Sequence, residues 1–296
     1  SATTVMLVGF VNSGIMELSQ TVGVIFGADV GTTLTAWILS LAGIDDNGNI
    51  FLGMLQPKNF SMVFAFIGVL LLMMAKKQKN KDLGTMFLGF AVLMTGMTMM
   101  SDSMSPLSDL PQFAEMMQSF NNPLVGVLVG TLITGVIQSS AASIGILQGL
   151  SMTGQITLSM AIPIVMGANI GTCMTAILSC IGVNRKAKRV AGIHVSIKVI
   201  GTILWLVILY GLNSIFHFAF LSNRATTISI AIYHTIFNVV NTLVLFWFSN
   251  LIVKLVYRIF PDGEDEEELF LDERLMVTPA IALAEVENSM AKMVKK

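Results

Sequence analysis

From Met116 to Asn184 the chain carries no Asp, Glu, Lys or Arg. A helix crosses a bilayer with about 20 residues, so this run is more than three times the length of one crossing. A water-soluble fold could not coat itself with what is left. Charged residues make up 12% of the chain and hydrophobic ones 54%, whereas soluble domains carry roughly 25% charged residues. The expected fold class is an all-α integral membrane protein of several spans. A net charge of −1 offers no basic face, so no nucleic-acid partner is expected. Cys173 and Cys180, seven apart in apolar sequence, make no disulfide framework.

Charge is also unevenly placed. Ten of the eighteen acids follow Phe260, which divides the chain into a membrane domain over about 1–258 and an acidic, solvated segment over 259–296. No charged segment precedes the first apolar run, so no signal peptide is expected; the first residue is Ser rather than Met, and the start is expected to be a cut.

Spans are predicted at residues 19–43, 60–75, 84–100, 155–183, 190–212 and 226–253. Segment 123–150 is long enough to cross but is interrupted by Gly126, Gly130, Gly135 and the polar run Gln138-Ser139-Ser140. It is predicted to be a hairpin that enters and leaves on one side. Non-helical backbone at membrane depth is tolerated only where protein or a water-filled cavity satisfies it, so such a break marks a site. Lys and Arg cluster at 76–81, at 185–189 and at Lys254 with Arg258, which places these loops in the cytoplasm. With 123–150 re-entrant from outside, the crossings between clusters close without contradiction. The C-terminal segment is then cytoplasmic, and the expected location is the inner (plasma) membrane of the cell, spanned several times.

Shifted by 140 residues, positions 1–40 overlay 141–180 without a gap, and 12 of 40 are identical. The identities include Gly9/Gly149, Gly14/Gly154, Gly27-Ala28/Gly167-Ala168, Gly31-Thr32/Gly171-Thr172 and Thr35-Ala36/Thr175-Ala176. They keep one register across two punctuated blocks, which the mere abundance of Gly, Ala and Thr in membrane helices would not produce. Because the basic loops orient the copies oppositely, an inverted repeat is predicted, about 1–100 and about 120–253. In inverted-repeat transporters the site lies near the midplane, where interrupted helices aim N-termini at anions and unwound carbonyls at cations. The interruptions expected here are the Gly-Ala-(Asp/Asn)-x-Gly-Thr turns at 27–32 and 167–172 and the hairpin tips.

Gln138, Ser139, Ser140 and Ser143 put four polar side chains in the middle of an apolar hairpin. Freed backbone N–H groups, hydroxyls and a carboxamide can replace the hydration of a tetrahedral oxyanion without any buried Lys. Back-bonding to i−4 carbonyls is the plainer alternative and would suffice for one isolated Ser, less well for a cluster. Asn169 and Thr172, matched by Asp29 and Thr32 in the first copy, offer oxygen donors of the kind a dehydrated sodium ion accepts. Asp29 is ionisable at mid-span, hence a cation ligand or proton carrier unless it only caps the following half-helix. His234, Asn238 and Asn241 share one helical stripe, equally open to helix–helix hydrogen bonding and to a cation role. Lys198 is read as snorkelling toward the 185–189 loop, and Glu17, His194 and His217 are given no functional part. No H-E-x-x-H or G-x-S-x-G occurs, so no enzyme activity is expected and no cofactor, sodium being the coupling ion.

Gln138-Ser139-Ser140, the duplicated Gly-Ala-(Asp/Asn)-x-Gly-Thr-x-x-Thr and the opening Ser1-Ala2-Thr3-Thr4 resemble the type II sodium/phosphate cotransporter family in its bacterial form, over about residues 1–258. The resemblance implies an inverted repeat with a Gln-Ser-Ser motif on each re-entrant hairpin. It implies phosphate at Gln138, Ser139, Ser140 and Ser143 with Ser1, Thr3 and Thr4, and sodium at Asp29, Thr32, Asn169 and Thr172 of the duplicated motif; Asn238 is added to the sodium set from its place on the polar stripe of the last span. The 140-residue shift puts the first Gln-Ser-Ser just upstream of Ser1. In the tail, LDERLMVTPAIALAEVENSMAKM is similar to the start of the helical PhoU-like domain that many bacterial members append.

The implied activity is sodium/phosphate symport by alternating access, with phosphate, sodium and the lipid bilayer as partners. A dianion entering against 100 mV costs about 4.6 kcal/mol, from roughly 2.3 per charge. Each entering sodium returns about 2.3 kcal/mol plus about 1.4 for a tenfold gradient, so two suffice and three leave a surplus. The alternatives are an anion channel or leak pathway of the same fold and a membrane phosphate sensor. Sequence does not decide between a monomer and a homodimer.

Overall fold

The computed structural model describes residues 2–43, 57–104, 106 and 121–261, with Leu283, Ala284, Val286, Glu287 and Met290. Ser1 and most of the expected segment 259–296 lie outside the described residues.

Apolar runs become helices whose ends fall at Gly, Pro and polar caps. α1 (Ala2–Asn12) is followed by Gly14 at φ 76°, a left-handed turn that glycine adopts without steric cost. α2 (Leu18–Gly31) begins at a capping box between Glu17 and Gln20, and α3 (Thr33–Ser40) follows after one residue. α4 (Pro57–Met74) and α5 (Gln78–Met104) pair closely at Gly68 and Gly84. A Cβ added at either would lie 2.8 Å from the other's carbonyl oxygen. Then come α6 (Pro123–Ile137), α7 (Ser140–Ser151), α8 (Leu158–Gly171) and α9 (Cys173–Ser179). α10 (Arg185–Trp205) continues through a π turn, Leu206–Tyr210, into α11 (Gly211–Phe216). α12 (Thr227–Trp247) and α13 (Ser249–Ile259) close the described fold.

Five stretches are long and apolar enough to cross a membrane: Leu18–Ser40, Gln78–Ser103, Leu158–Ser179, Arg185–Phe216 and Thr227–Trp247. They meet five of the six predicted spans. The sixth, 60–75, is the shorter apolar helix Phe60–Met74. The last span also stops earlier than the predicted 253. Phe248 leaves helical geometry at φ −99°, ψ 10°, and α13 sets off with Ile252 and Val256 buried and Lys254 and Arg258 on its outer side. Among the described residues there is no strand, the one extended pairing being an isolated bridge between Thr157 and Arg224.

Burial is inverted relative to a soluble domain. Trp247 is 85% exposed and Val136 84%, while Asp29, Lys198, Arg189, His194, His234, Asn169, Asn238 and Gln148 are buried. Lipid solvates the former and cannot solvate the latter, so the polar groups collect inside. Two apolar cores flank them. One joins α7 and α8 to the first half of α12; the other joins α1, α2 and α10 to Leu245 and α13.

The matched segments take the same local path twice. Gly154 repeats the left-handed turn of Gly14 with φ 74°. Thr32 (φ −64°, ψ −19°) and Thr172 (φ −62°, ψ −19°) occupy the same joint. α1 lies on α9 and α10, and α7 lies on α3 and α5. Hydrogen bonds gather the helix ends into two groups. At one, Asn184 bonds Asn12 through both backbone and side chain, and Arg189 Nε donates to the Phe260 carbonyl at 2.9 Å. At the other, Thr227 donates to Ser40 O at 2.9 Å and Leu158 N–H to Asn223 O at 2.9 Å.

Candidate functional site

α6 and α7 form the expected helix–turn–helix, and glycine sets its position. Gly126 and Gly130 of α6 face α8, while Gly167 and Gly171 of α8 face α6. A Cβ at Gly126 would lie 2.7 Å from Pro163 Cβ, one at Gly171 2.6 Å from Thr134 Cβ, and one at Gly167 would strike the Val127 carbonyl. Small residues four apart on both partners bring the backbones together. Thr131 Oγ1 donates across the joint to Gly167 O at 3.1 Å. Pro163 leaves Ser159 O without its helical donor, and the Tyr210 hydroxyl donates there at 3.4 Å.

The tip is Gln138-Ser139-Ser140. Gln138 is left-handed at φ 58°, ψ 22°, and its N–H bonds Thr134 O at 2.7 Å. A left-handed non-glycine costs roughly 1–2 kcal/mol, so strain is held at the motif itself. Ser139 is extended and caps α7, its Oγ accepting from Ala142 N–H at 3.2 Å. Ser143 donates to Ser139 O at 3.1 Å and is buried. Gln138 is exposed, and Ser140 half-buried. The first N–H groups of α7 thus open beside a carboxamide and hydroxyls, an arrangement suited to an anion. Of the first-copy residues, Thr3 is exposed and Thr4 buried on α1, within the packing of α1 against α9 and α10 rather than that of α7.

Asp29 and Asn169, the same position of the two copies, do come together, and they meet around Lys198. Its Nζ lies 2.7 Å from Asp29 Oδ1 and donates to Asn169 Oδ1 at 2.8 Å. Lys198 is 4% exposed, Asn169 2% and Asp29 8%, so Lys198 does not snorkel to the loop. Arg189 lies nine residues earlier, a rise of about 13 Å, which is more than a lysine side chain spans. That distance was the available signal. The interruptions at 27–32 and 167–172 are slight: Thr32 and Thr172 stay right-handed, and hydroxyls occupy the nearby carbonyls. Thr33 donates to Val30 O at 2.7 Å, Thr35 to Thr32 O at 2.6 Å and Thr172 to Asn169 O at 2.6 Å.

Further polar groups surround this centre. Asn238 Nδ2 donates within α12 to His234 O at 2.8 Å. Asn241 packs on Gly201, where a Cβ would lie 2.6 Å from its Nδ2. His194 Nδ1, Thr202 Oγ1, His234 Nδ1 and Asn241 Oδ1 are buried without hydrogen-bond partners among the described residues. Gln148, fully buried at 0% exposure, was missed in sequence. Its Nε2 bonds Ala36 O at 3.0 Å and Thr227 O at 2.9 Å, tying α7 to α3 and α12. A lone amide in an apolar hairpin arm was its signal; the first copy has Val8 there.

The family described as Na+/Pi-cotransporter matches the chain twice, over residues 1–102 and 96–232. An uncharacterized protein of Bacillus subtilis, YqeW, is 30% identical over 262 residues, 88% of this chain and 80% of that protein. The "Putative inorganic phosphate export protein YjbB" of Salmonella typhimurium is 25% identical over 300 residues, covering 99% of this chain. The chain spans about half of that relative's length, 52%. The human "Sodium-dependent phosphate transport protein 2B" is 42% identical over 64 residues, 22% of this chain and 9% of that protein. No solved structure matches.

Proposed function

The chain belongs to the Na+/Pi-cotransporter family, and from that premise we propose that it carries inorganic phosphate across the inner membrane, coupled to sodium, by alternating access. The carrying observation is the α6–α7 tip. A strained Gln138, the hydroxyls of Ser139, Ser140 and Ser143 and the N-terminus of α7 converge in a hairpin wedged against α8. Phosphate binds there through neutral donors, with Thr3 and Thr4 completing the site as the repeats move, and Asp29, Thr32, Asn169, Thr172 and Asn238 serve the cation. No catalytic role is assigned. Two facts support opposed copies. α2–α3 runs from the Arg189 end to the Thr227 end, where Ser40 bonds Thr227, and α8–α9 starts at that second end, where Leu158 bonds Asn223.

A second reading is outward transport, favoured by the name of the Salmonella relative, similar along nearly all of this chain. Expelling a dianion from a negative interior releases about 4.6 kcal/mol at 100 mV, so export needs no sodium. Radiolabelled phosphate flux in proteoliposomes separates the two. An inward sodium gradient should drive accumulation, and Gln138→Ala or Ser139→Ala should reduce it to background in folded protein. Flux that follows only the phosphate gradient and ignores sodium removes the symport reading and leaves export or a leak pathway of the same fold. No phosphate flux in either direction removes both.

A further inference from the structure

Sodium coupling through Asp29 and Asn169 meets an obstacle on the chain itself. A cation already stands between them. Lys198 Nζ is 2.7 Å from the Asp29 carboxylate and 2.8 Å from the Asn169 carboxamide oxygen, with all three side chains buried. Two oxygens from equivalent positions of the two copies converge on one unit of positive charge. That is the charge a sodium ion would bring to the same two oxygens, except that an ammonium meets them through N–H donors, is tethered and cannot leave with the cargo.

We propose that Lys198 is a built-in counter-ion that holds one cation position of the transport site permanently, so that this position does not draw on the sodium gradient. The assignment rests on the reading of Asp29 and Asn169 as cation ligands given under the proposed function. It makes Lys198 a residue that sets coupling-ion requirement: one fewer sodium travels per phosphate than the oxygen ligands alone would admit. It also brings the two directions of transport closer together, since a carrier with fewer obligatory sodium ions is less bound to inward movement.

The chain supplies the variant that tests this. α10 and α12 share a pattern at a 40-residue shift: Ala191/Ala231, His194/His234, Val199/Val239 and Thr202/Thr242. Lys198 then corresponds to Asn238, which sits in its helix with its amide bonded to His234 O. An Asn is therefore sterically and conformationally at home at such a position. Lys198→Asn removes the ammonium, leaves Asp29 as a buried unpaired carboxylate, and opens the position to a free cation.

The experiment uses the full chain in detergent, with thermal unfolding and 22Na+ binding measured in sodium chloride and in choline chloride at equal ionic strength. Lys198→Asn should unfold well below wild type in choline and recover by several degrees in sodium, binding about one more 22Na+ per chain than wild type, by mass action on the folded state. The double variant Asp29→Asn/Lys198→Asn, with no charge left to balance, should keep its stability in choline and show no sodium recovery. An equal 22Na+ stoichiometry in wild type and Lys198→Asn overturns the proposal. So does a Lys198→Asn chain that stays unfolded in both salts while the double variant folds, because sodium then does not replace the ammonium. None of these readouts involves phosphate, so the outcome is separate from phosphate flux, which judges the symport reading alone.

Discussion

At Gln138 the demands of the turn and of the proposed phosphate site pull in opposite directions. Its left-handed backbone is one of two such non-glycine sites among the described residues, the other being His217 at the end of α11. His217 is explained by helix termination, with its N–H on Asn213 O. Gln138 turns the hairpin, yet glycine would turn it without the Cβ penalty. Gln138→Gly should therefore leave the melting temperature unchanged or raise stability by up to about 1 kcal/mol, while abolishing phosphate flux. Retained flux in that variant would reduce Gln138 to a turn residue. Sequence made this position legible because a carboxamide and three hydroxyls in an apolar run demand a reason. Lys198 was not legible in the same way. The nine-residue rise from Arg189 already sets it too deep to reach the loop, but its partners stand on α2 and α8, far away in sequence, and only the fold reveals them.

Elements were legible where hydropathy and length decide. The five long spans and the α6–α7 hairpin follow from apolar runs and their punctuation. The helix joints were not, because Thr hydroxyls bonded to i−3 carbonyls let α2–α3 and α8–α9 turn at one residue without unwinding. The two copies of the Gly-Ala-x-x-Gly motif also differ in surroundings. α6 lies against Gly167 and Gly171, whereas nothing comes within 4 Å of a Cβ added at Gly27 or Gly31 in the described structure. One substitution should then have opposite signs at equivalent positions of this 296-residue chain. Gly167→Ala collides with the Val127 carbonyl, which belongs to a facing backbone and cannot swing aside, and should cost about 1–3 kcal/mol. Gly27→Ala gains helix propensity and should be neutral or stabilising by about 0.5–1 kcal/mol. Thermal unfolding of the pair in detergent checks this. Equal losses at both positions would show that the motif's glycines serve backbone conformation, not helix approach.

Across the whole molecule, contacts and charge supply different halves of the topology. Hydrogen bonds put Asn12, Asn184 and Arg189 at one end and Ser40, Leu158, Asn223 and Thr227 at the other. They say nothing of which end faces the cell interior. Lys76, Lys77, Lys79 and Lys81, together with Arg185, Lys186, Lys188 and Arg189, assign that side by the bias of basic loops toward the cytoplasm. If both halves hold, α2–α3 leaves the cytoplasm while α8–α9 returns to it, and the 140-residue repeat is inverted. Lys77, Lys186 and Asn223 are exposed, so each can carry a probe. In a Cys173→Ala/Cys180→Ala background, Lys77→Cys and Lys186→Cys should resist a membrane-impermeant maleimide in intact cells and react once the cells are permeabilised. Asn223→Cys should react in intact cells. Lys77→Cys and Lys186→Cys reacting from opposite sides would break the crossing count between the basic loops. The 123–150 hairpin would then have to cross the bilayer, and the proposed oxyanion site would lose its re-entrant tip.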